Sequence, residues 1–197
     1  MKLQNGVDLQ VRNLKVGDFV QVMTHKGKIG FSEVVMFADY KPDIPHALHV
    51  LIETKKPAKN ITLTPSHLIF TSKVNSTGKQ LRSKHADSVL PGDFLLVSAD
   101  GGLVPSQVKS VSLVKRTGLV APVTMEGNVI VDGVVSSCYA MISNHEIAHM
   151  VFGPLRLVRN YAPSFWNTGD FHVQQGLHWY PDFLMTINKA FGIVELS

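Results

Sequence analysis

The 197-residue sequence predicts a mainly β fold, a run of short hairpins in two related halves, followed by a small helical appendage. Three observations carry this. From residue 1 to about 142, short runs rich in Val, Ile, Phe and Thr alternate with Gly, Pro, Asn and Asp turn signals. Residues 13–22 (NLKVGDFVQV) resemble residues 88–97 (SVLPGDFLLV), with Gly-Asp-Phe cores 75 positions apart. From Asn144 onward the apolar period changes from that of a strand to that of a helix.

The elements follow in order. MKLQNGVDLQ opens on a hairpin with Gln4, Asn5 and Gly6 as its turn. FVQVM, SEVVMF, LHVLIET, NITLT, HLIFTS, DFLLVSA, SQVKSVSLV and NVIVDGVVSS each read as strand, because β-branched and aromatic side chains suit a pleated, half-buried surface. KGKIG, KPDIP, STGK, LPGD, ADGG and MEGN punctuate them. Ser32, Glu33 and Val34 align with Ser106, Gln107 and Val108, and NITLTPSHLIF pairs more loosely with NVIVDGVVSSCYA. On that pseudo-twofold the strands carrying His67 and Cys138 are counterparts and meet near the centre. In the tail, NHEIAHMVFGPLRLVRNY has helical spacing interrupted at Gly153 and Pro154. APSFWNTGDFHVQQG reads as a loop. In LHWYPDFLMTINKAF, residues Leu177, Tyr180, Leu184, Ile187 and Phe191 share one face of an amphipathic helix.

Composition narrows the function classes. With 45 % hydrophobic and 17 % charged residues the chain is globular rather than disordered. The net charge is +4, but the nineteen Lys and Arg are scattered, with no basic stripe interleaved with aromatics, which argues against nucleic-acid binding. No apolar run reaches the ~18 residues needed to span a bilayer, and the first residues contain no apolar signal segment. The single cysteine, Cys138, excludes an internal disulfide and a multi-cysteine zinc site.

Three constellations carry chemistry. In NITLTPSHLIF, Pro65 turns the chain so that His67 points back toward Thr64. A hydroxyl and an imidazole at one corner can hold and protonate an amide nitrogen, and breaking a peptide bond needs such a proton together with a nucleophile on the carbonyl carbon. The competing reading is a strand-end histidine satisfied by backbone carbonyls. Asp39 ends an apolar strand, either as a turn carboxylate or as a base at the rim of the domain. His145 to His149 (HEIAH) match the zinc-protease pattern H-E-x-x-H. Such a site needs a third ligand: Phe152 and Leu155 stand where the extended motif needs Gly and His, Asp170 on a loop is the candidate substitute, and a chance match at a helix start is the favoured reading, so no metal is expected.

Taken in order, LKVGDFVQV, FSEVVMFAD, LTPSHLIF, LPGDFLLV, GLVAPVTMEGNVIVDGVVSSCYA, AHMVFGPLRL and GLHWYPDFL resemble the successive blocks of the autoprocessing (Hog) domain of hedgehog proteins, animal relatives of inteins. The resemblance covers essentially the whole chain. It implies a β-rich Hint module with pseudo-twofold halves over 1–145 and a helical sterol-recognition region over 146–197. It also implies a self-acting cysteine-type autoprotease that works in two steps. A cysteine at the module's first residue attacks the preceding carbonyl to give a thioester. A sterol hydroxyl, cholesterol as second substrate, then displaces the thiol and leaves the upstream signalling fragment as a sterol ester. No cofactor is implied.

Carried over by position, His67 matches the histidine that assists the acyl shift and Thr64 the threonine that positions it. Asp39 matches the base that activates the sterol hydroxyl, and Cys138 the family's second cysteine. Trp179, Tyr180, Leu184 and Ile187 fall in the segment expected to contact sterol or a membrane surface. His149 falls in the Ala-His block, so the HEIAH match needs no zinc. The resemblance further implies a covalently linked upstream signalling domain and passage of the precursor through the endoplasmic reticulum and secretory pathway. The nucleophilic cysteine of the pattern is expected a few residues ahead of Met1, and Cys138 cannot replace it, because the thiol must sit on the residue whose own amide is cleaved. The chain as given is therefore expected not to perform the first step, and an inactive Hint-like binding module is the alternative reading.

Overall fold

The computed structural model describes residues 1–75 and 81–140, together with 153–154, 157, 161 and 176–177. The strands are β1 (Phe19–Met23), β2 (Ile29–Lys41), β3 (Ala47–Thr54), β4 (Asn60–Leu63), β5 (Leu68–Ser72), β6 (Arg82–His85), β7 (Phe94–Ala99), β8 (Gly102–Arg116), β9 (Leu119–Thr124), β10 (Asn128–Val131), β11 (Val134–Ser137) and β12 (Gly176–Leu177). They form two sheets. One runs β1-β2-β12, with β9 also paired to β2. The other runs β10-β11-β5-β7-β8-β3-β4, with β6 on β5. Every ladder among the described residues is antiparallel, as short hairpin connections require.

The sequence repeat is matched bond for bond. The Lys15 amide donates to the Asp18 carboxylate at 2.8 Å, and the Leu90 amide donates to the Asp93 carboxylate at 3.1 Å. Gly17 N donates to Val34 O and Gly92 N to Val108 O, while Val34 N donates to Asp18 O and Val108 N to Asp93 O. Gly17 and Gly92 sit at φ +94° and +98°, a left-handed turn in which a side chain would be strained. The following strands pair alike, Phe19 opposite Glu33 and Phe94 opposite Gln107. One difference separates the halves. The Asp93 side chain is 1 % exposed and ion-paired with Lys73 and Lys84, whereas Asp18 is half-buried.

Several sequence expectations change. NVIVDGVVSS is not one strand but two, folded back at Asp132 and Gly133, whose φ values are +50° and +78°. Strand β6 (RSKH) has no apolar alternation, and β9 (LVAPVT) contains Pro122, so neither advertises itself. Gly153 and Pro154, expected to interrupt a helix, are themselves helical. Leu177 lies on β12 rather than on a helix, because its backbone pairs with Asp39. The expected domain boundary at 145/146 lies outside the described residues.

Strand β5 is buried along its whole length. Leu68 packs with Val20, Val34, Met36 and Cys138. Ile69 joins Val50, Ile52, Ile61 and Leu95 in a second cluster, and Phe70 meets Leu96, Ile130 and Val135 in a third. Burying each such side chain contributes about 1.5–3 kcal/mol. The strand that begins just after His67 is thereby among the most firmly held in the molecule.

Candidate active site

The turn between β4 and β5 places His67. The His67 amide donates to Thr64 O at 3.0 Å, closing a β-turn with Pro65 in its first central position, where the ring's fixed φ fits. Two backbone bonds brace it from the 3₁₀ turn at Ala86–Ser88: Ala86 N donates to His67 O at 2.9 Å and Asp87 N to Pro65 O at 3.1 Å. His85 Nδ1 bonds Ser66 O at 2.7 Å. The corner is held on both sides before any ligand arrives.

The imidazole reaches across to the end of β11, where Nε2 lies 2.8 Å from Ser137 O. A carbonyl oxygen only accepts, so Nε2 carries a hydrogen and Nδ1 presents the lone pair of the neutral ring. Burial pushes the His67 pKa below its usual 6.5, and the Ser137 bond offsets this only in part. The ring is therefore neutral at physiological pH and can take a proton at Nδ1 before giving one up.

Cys138 follows Ser137 directly. The neighbouring backbones are joined again by Leu68 N donating to Tyr139 O at 2.9 Å, so His67 and Cys138 meet where β5 begins and β11 ends, and Thr64 is tied to them through the His67 amide. Cys138 is 2 % exposed, and its Sγ lies 3.6 Å from Thr124 Oγ1. The Thr124 hydroxyl hydrogen is committed to Asn128 O at 2.8 Å, which leaves the thiol to donate to Thr124. Cys138 is thus buried against the Thr124 hydroxyl.

His67, Ser136 and Ser137 line a cleft of about 570 Å³. Met1, Leu9 and Val11 form one wall, and Val120, Pro122, Val129 and Val131 supply apolar surface. The N-terminal end of the chain therefore lies in the same cleft as His67. His49, not among the residues expected at the site, lines it too. It is buried, with Nδ1 bonded to Ala47 O at 2.9 Å. The β3–β4 ladder begins at Val50 opposite Leu63, the residues next to His49 and Thr64. Its only trace in the sequence is a histidine inside the apolar run LHVLIET.

Asp39 does not line this cleft. It sits on β2 opposite Ala121, whose neighbours Val120 and Pro122 do. Its Oδ2 accepts from Lys41 Nζ at 3.0 Å, while Oδ1 is buried with no hydrogen-bond partner among the described residues. Trp179, Tyr180, Leu184, Ile187, His145 and His149 lie outside the described residues.

The cleft is lined by both His67 and the chain's own N-terminal end, and the fold around it has counterparts among solved inteins. Among solved structures, a DnaB intein from Synechocystis superposes with a TM-score of 0.54 at 11 % identity, covering 70 % of this chain and 92 % of its own. The gp41-1 intein gives 0.50 at 15 % identity, covering 69 % and 91 %. These likenesses show the fold. The sequence model of the Hint module matches residues 1–192, and the chain belongs to that family. The curated relatives it matches include hedgehog proteins. Indian hedgehog protein of Xenopus laevis is 35 % identical over 99 % of this chain and 49 % of its own length. Tiggy-winkle hedgehog protein of Danio rerio is 35 % identical over 99 % and 50 %, and Protein hedgehog of Drosophila virilis 33 % identical over 94 % and 41 %. The chain thus spans about half the length of the curated relatives it matches.

Proposed function

We propose that this chain is the autoprocessing module of a hedgehog-type precursor, which cleaves the peptide bond at its own upstream junction and transfers the upstream fragment to a sterol hydroxyl. The observation that carries the reading is the cleft shared by His67 and Met1. A segment entering ahead of Met1 is led toward an imidazole whose tautomer is fixed by Ser137 O.

In the first step the thiol of a cysteine, which this reading supplies from upstream of Met1, attacks the carbonyl carbon of the residue before it. His67 Nδ1 accepts the thiol proton and returns it to the departing amide nitrogen as the C–N bond breaks and the C–S bond forms. Thr64 holds that corner. In the second step the sterol hydroxyl gives its proton to Asp39 Oδ1 as its oxygen bonds the thioester carbon and the thiolate leaves. Cys138, bonded to Thr124, packs behind the site and takes no proton in either step. The second substrate is a sterol, with cholesterol the expected member, and no cofactor enters. In the whole precursor the module travels the secretory pathway with its upstream signalling domain, and its product is membrane-associated.

The test joins a passenger domain to this chain through an added segment with a Gly-Cys junction. Cleavage by dithiothreitol reports thioester formation, and cleavage by cholesterol in detergent reports transfer. His67→Gln is expected to lower both by about 10²–10⁴-fold, the usual worth of general acid–base catalysis. Asp39→Ala is expected to retain thiol cleavage and lose sterol cleavage. No thiol cleavage with the junction intact would make the chain a non-catalytic Hint-type binding module instead.

A further inference from the structure

His49 offers the cleft an acceptor that neither proposed step uses. Its side chain sits on β3 and lines the same cleft as His67 and Met1. Nδ1 lies 2.9 Å from Ala47 O. A carbonyl oxygen only accepts, so Nδ1 carries a hydrogen, and in the neutral ring Nε2 holds the lone pair. Nε2 has no hydrogen-bond partner among the described residues. Among those residues Asp39 Oδ1 is the one fully buried side-chain N or O without a partner. His49 Nε2 is therefore not sealed in the core, and the space it opens onto is the cleft. The tautomer is the reverse of that of His67, whose Nε2 donates to Ser137 O. We propose that His49 marks a subsite for the extended segment that precedes the scissile bond, with Nε2 accepting a hydrogen bond from a backbone N–H of that segment. The proposal rests on the function given above and deepens it by naming how the upstream peptide is held.

The surroundings of His49 suit a peptide backbone. Thr62 lies opposite Leu51 in the β3–β4 ladder, and strand alternation puts His49 on the same face as Leu51. His49 and Thr62 thus share the face that lines the cleft. The wall supplied by β9 and β10, with Val120, Pro122, Val129 and Val131, is apolar. A peptide entering such a space loses water from its N–H groups, and each needs an acceptor. His67 Nδ1 is taken up by the proton it moves in the first step, so it does not hold a spectator amide as well. His49 Nε2 is a second acceptor in the same space, on a strand fixed by pairing to β4 and β8. His49 binds substrate here and touches no reacting atom.

The test uses the precursor with the Gly-Cys junction. His49→Phe keeps a ring on β3 and removes the acceptor. The first-order rate of cleavage by dithiothreitol is expected to fall about three- to thirtyfold, with the melting temperature within about 3 °C of the parent's. His49→Gln, whose amide oxygen stands in for Nε2, is expected to stay within about threefold of the parent. The contact precedes the thioester, so cleavage by cholesterol is expected to fall in the same proportion. A rate for His49→Phe equal to the parent's, an equal loss in both variants, or a loss confined to sterol cleavage overturns the proposal.

Should His49→Phe fail to fold, proton–nitrogen correlation spectra of chains with labelled histidine decide the matter. In this chain His49 is expected as the tautomer protonated at Nδ1. In the precursor with alanine in place of the junction cysteine, which cannot cleave, the Nε2 resonance is expected to move to lower frequency as it accepts. The opposite tautomer, or an Nε2 resonance unmoved by the upstream segment, overturns the proposal. Absence of dithiothreitol cleavage in the parent refutes the proposed function and the subsite with it, whereas an active parent matched by His49→Phe refutes the subsite alone.

Discussion

The two halves of the fold carry the same turn with one electrostatic difference, and that difference sets up a quantitative prediction. In the second half, Asp93 accepts from Lys73 at 2.6 Å, from Lys84, and from the Leu90 amide at 3.1 Å. Asp93→Ala removes all three. Lys73 is 76 % exposed, so solvent screening leaves its pair worth a few tenths of a kcal/mol at most. Lys84 is 24 % exposed and bonds a buried carboxylate, which contributes about 1.5 kcal/mol. The Leu90 amide bond adds about 1 kcal/mol. The total is about 3 kcal/mol, or a fall in Tm of roughly 6–12 °C for a domain of this size. Asp18→Ala, at the counterpart position, loses the Lys15 amide bond and is expected to cost about 1 kcal/mol. Urea titration followed by tryptophan fluorescence and circular dichroism measures both. Equal costs, within about 0.5 kcal/mol, would refute the assignment of the extra stability to the buried ion cluster. The pH dependence has a definite sign. Burial alone would raise the Asp93 pKa, but the bonds from Lys73, Lys84 and Leu90 outweigh it and hold the carboxyl below its usual 3.8. Its contribution is present above that value and is lost as pH falls through the lower folded one. The Asp93→Ala chain is therefore expected to lose less stability than the parent on acidification below about pH 4.

Other expectations concern the site and its scaffold. Because burial lowers the His67 pKa from 6.5, the acid limb of thiol-driven cleavage is expected below pH 6.5. A limb above that value in stopped-time assays would contradict a buried, neutral base. Gly118→Ala is expected to cost about 2–4 kcal/mol by thermal melting, because φ is +95° and a Cβ would lie 2.6 Å from the Pro42 carbonyl oxygen. Gly27→Ala, at φ +69° with open space around it, is expected to cost only about 1 kcal/mol. Similar costs at the two sites would show that the Pro42 contact yields readily. Thr124→Val removes the hydroxyl that donates to Asn128 O and contacts the Cys138 thiol. It is expected to destabilise by about 1–3 kcal/mol in denaturant titration, and a neutral result would remove the case for that buried pair.

Much of the candidate site was legible because it is local. Thr64, Pro65 and His67 lie within one turn whose geometry proline largely dictates. The Gly-Asp-Phe repeat was legible because each copy is a self-contained turn with its own side-chain-to-amide bond. Three features were not. His49 became part of the cleft only through the β3–β4 register, which no periodicity specifies. Strand β6 owes its state to pairing with the buried β5 rather than to its own residues. Leu177 fitted a helical apolar stripe well, yet its backbone is paired with Asp39, a contact that outweighs local propensity.

By itself the sequence determined the β character, the two-half plan and the tight turn from Thr64 to His67, since turn chemistry and alternation act over a few residues. Only the tertiary structure decided which nitrogen of His67 carries its proton, because Ser137 comes from 70 residues away. It also decided that the N-terminal end shares His67's cleft, and that a C-terminal strand lies beside Asp39. Those juxtapositions depend on long-range register, and register is fixed by how whole sheets bury their faces rather than by any short stretch of chain.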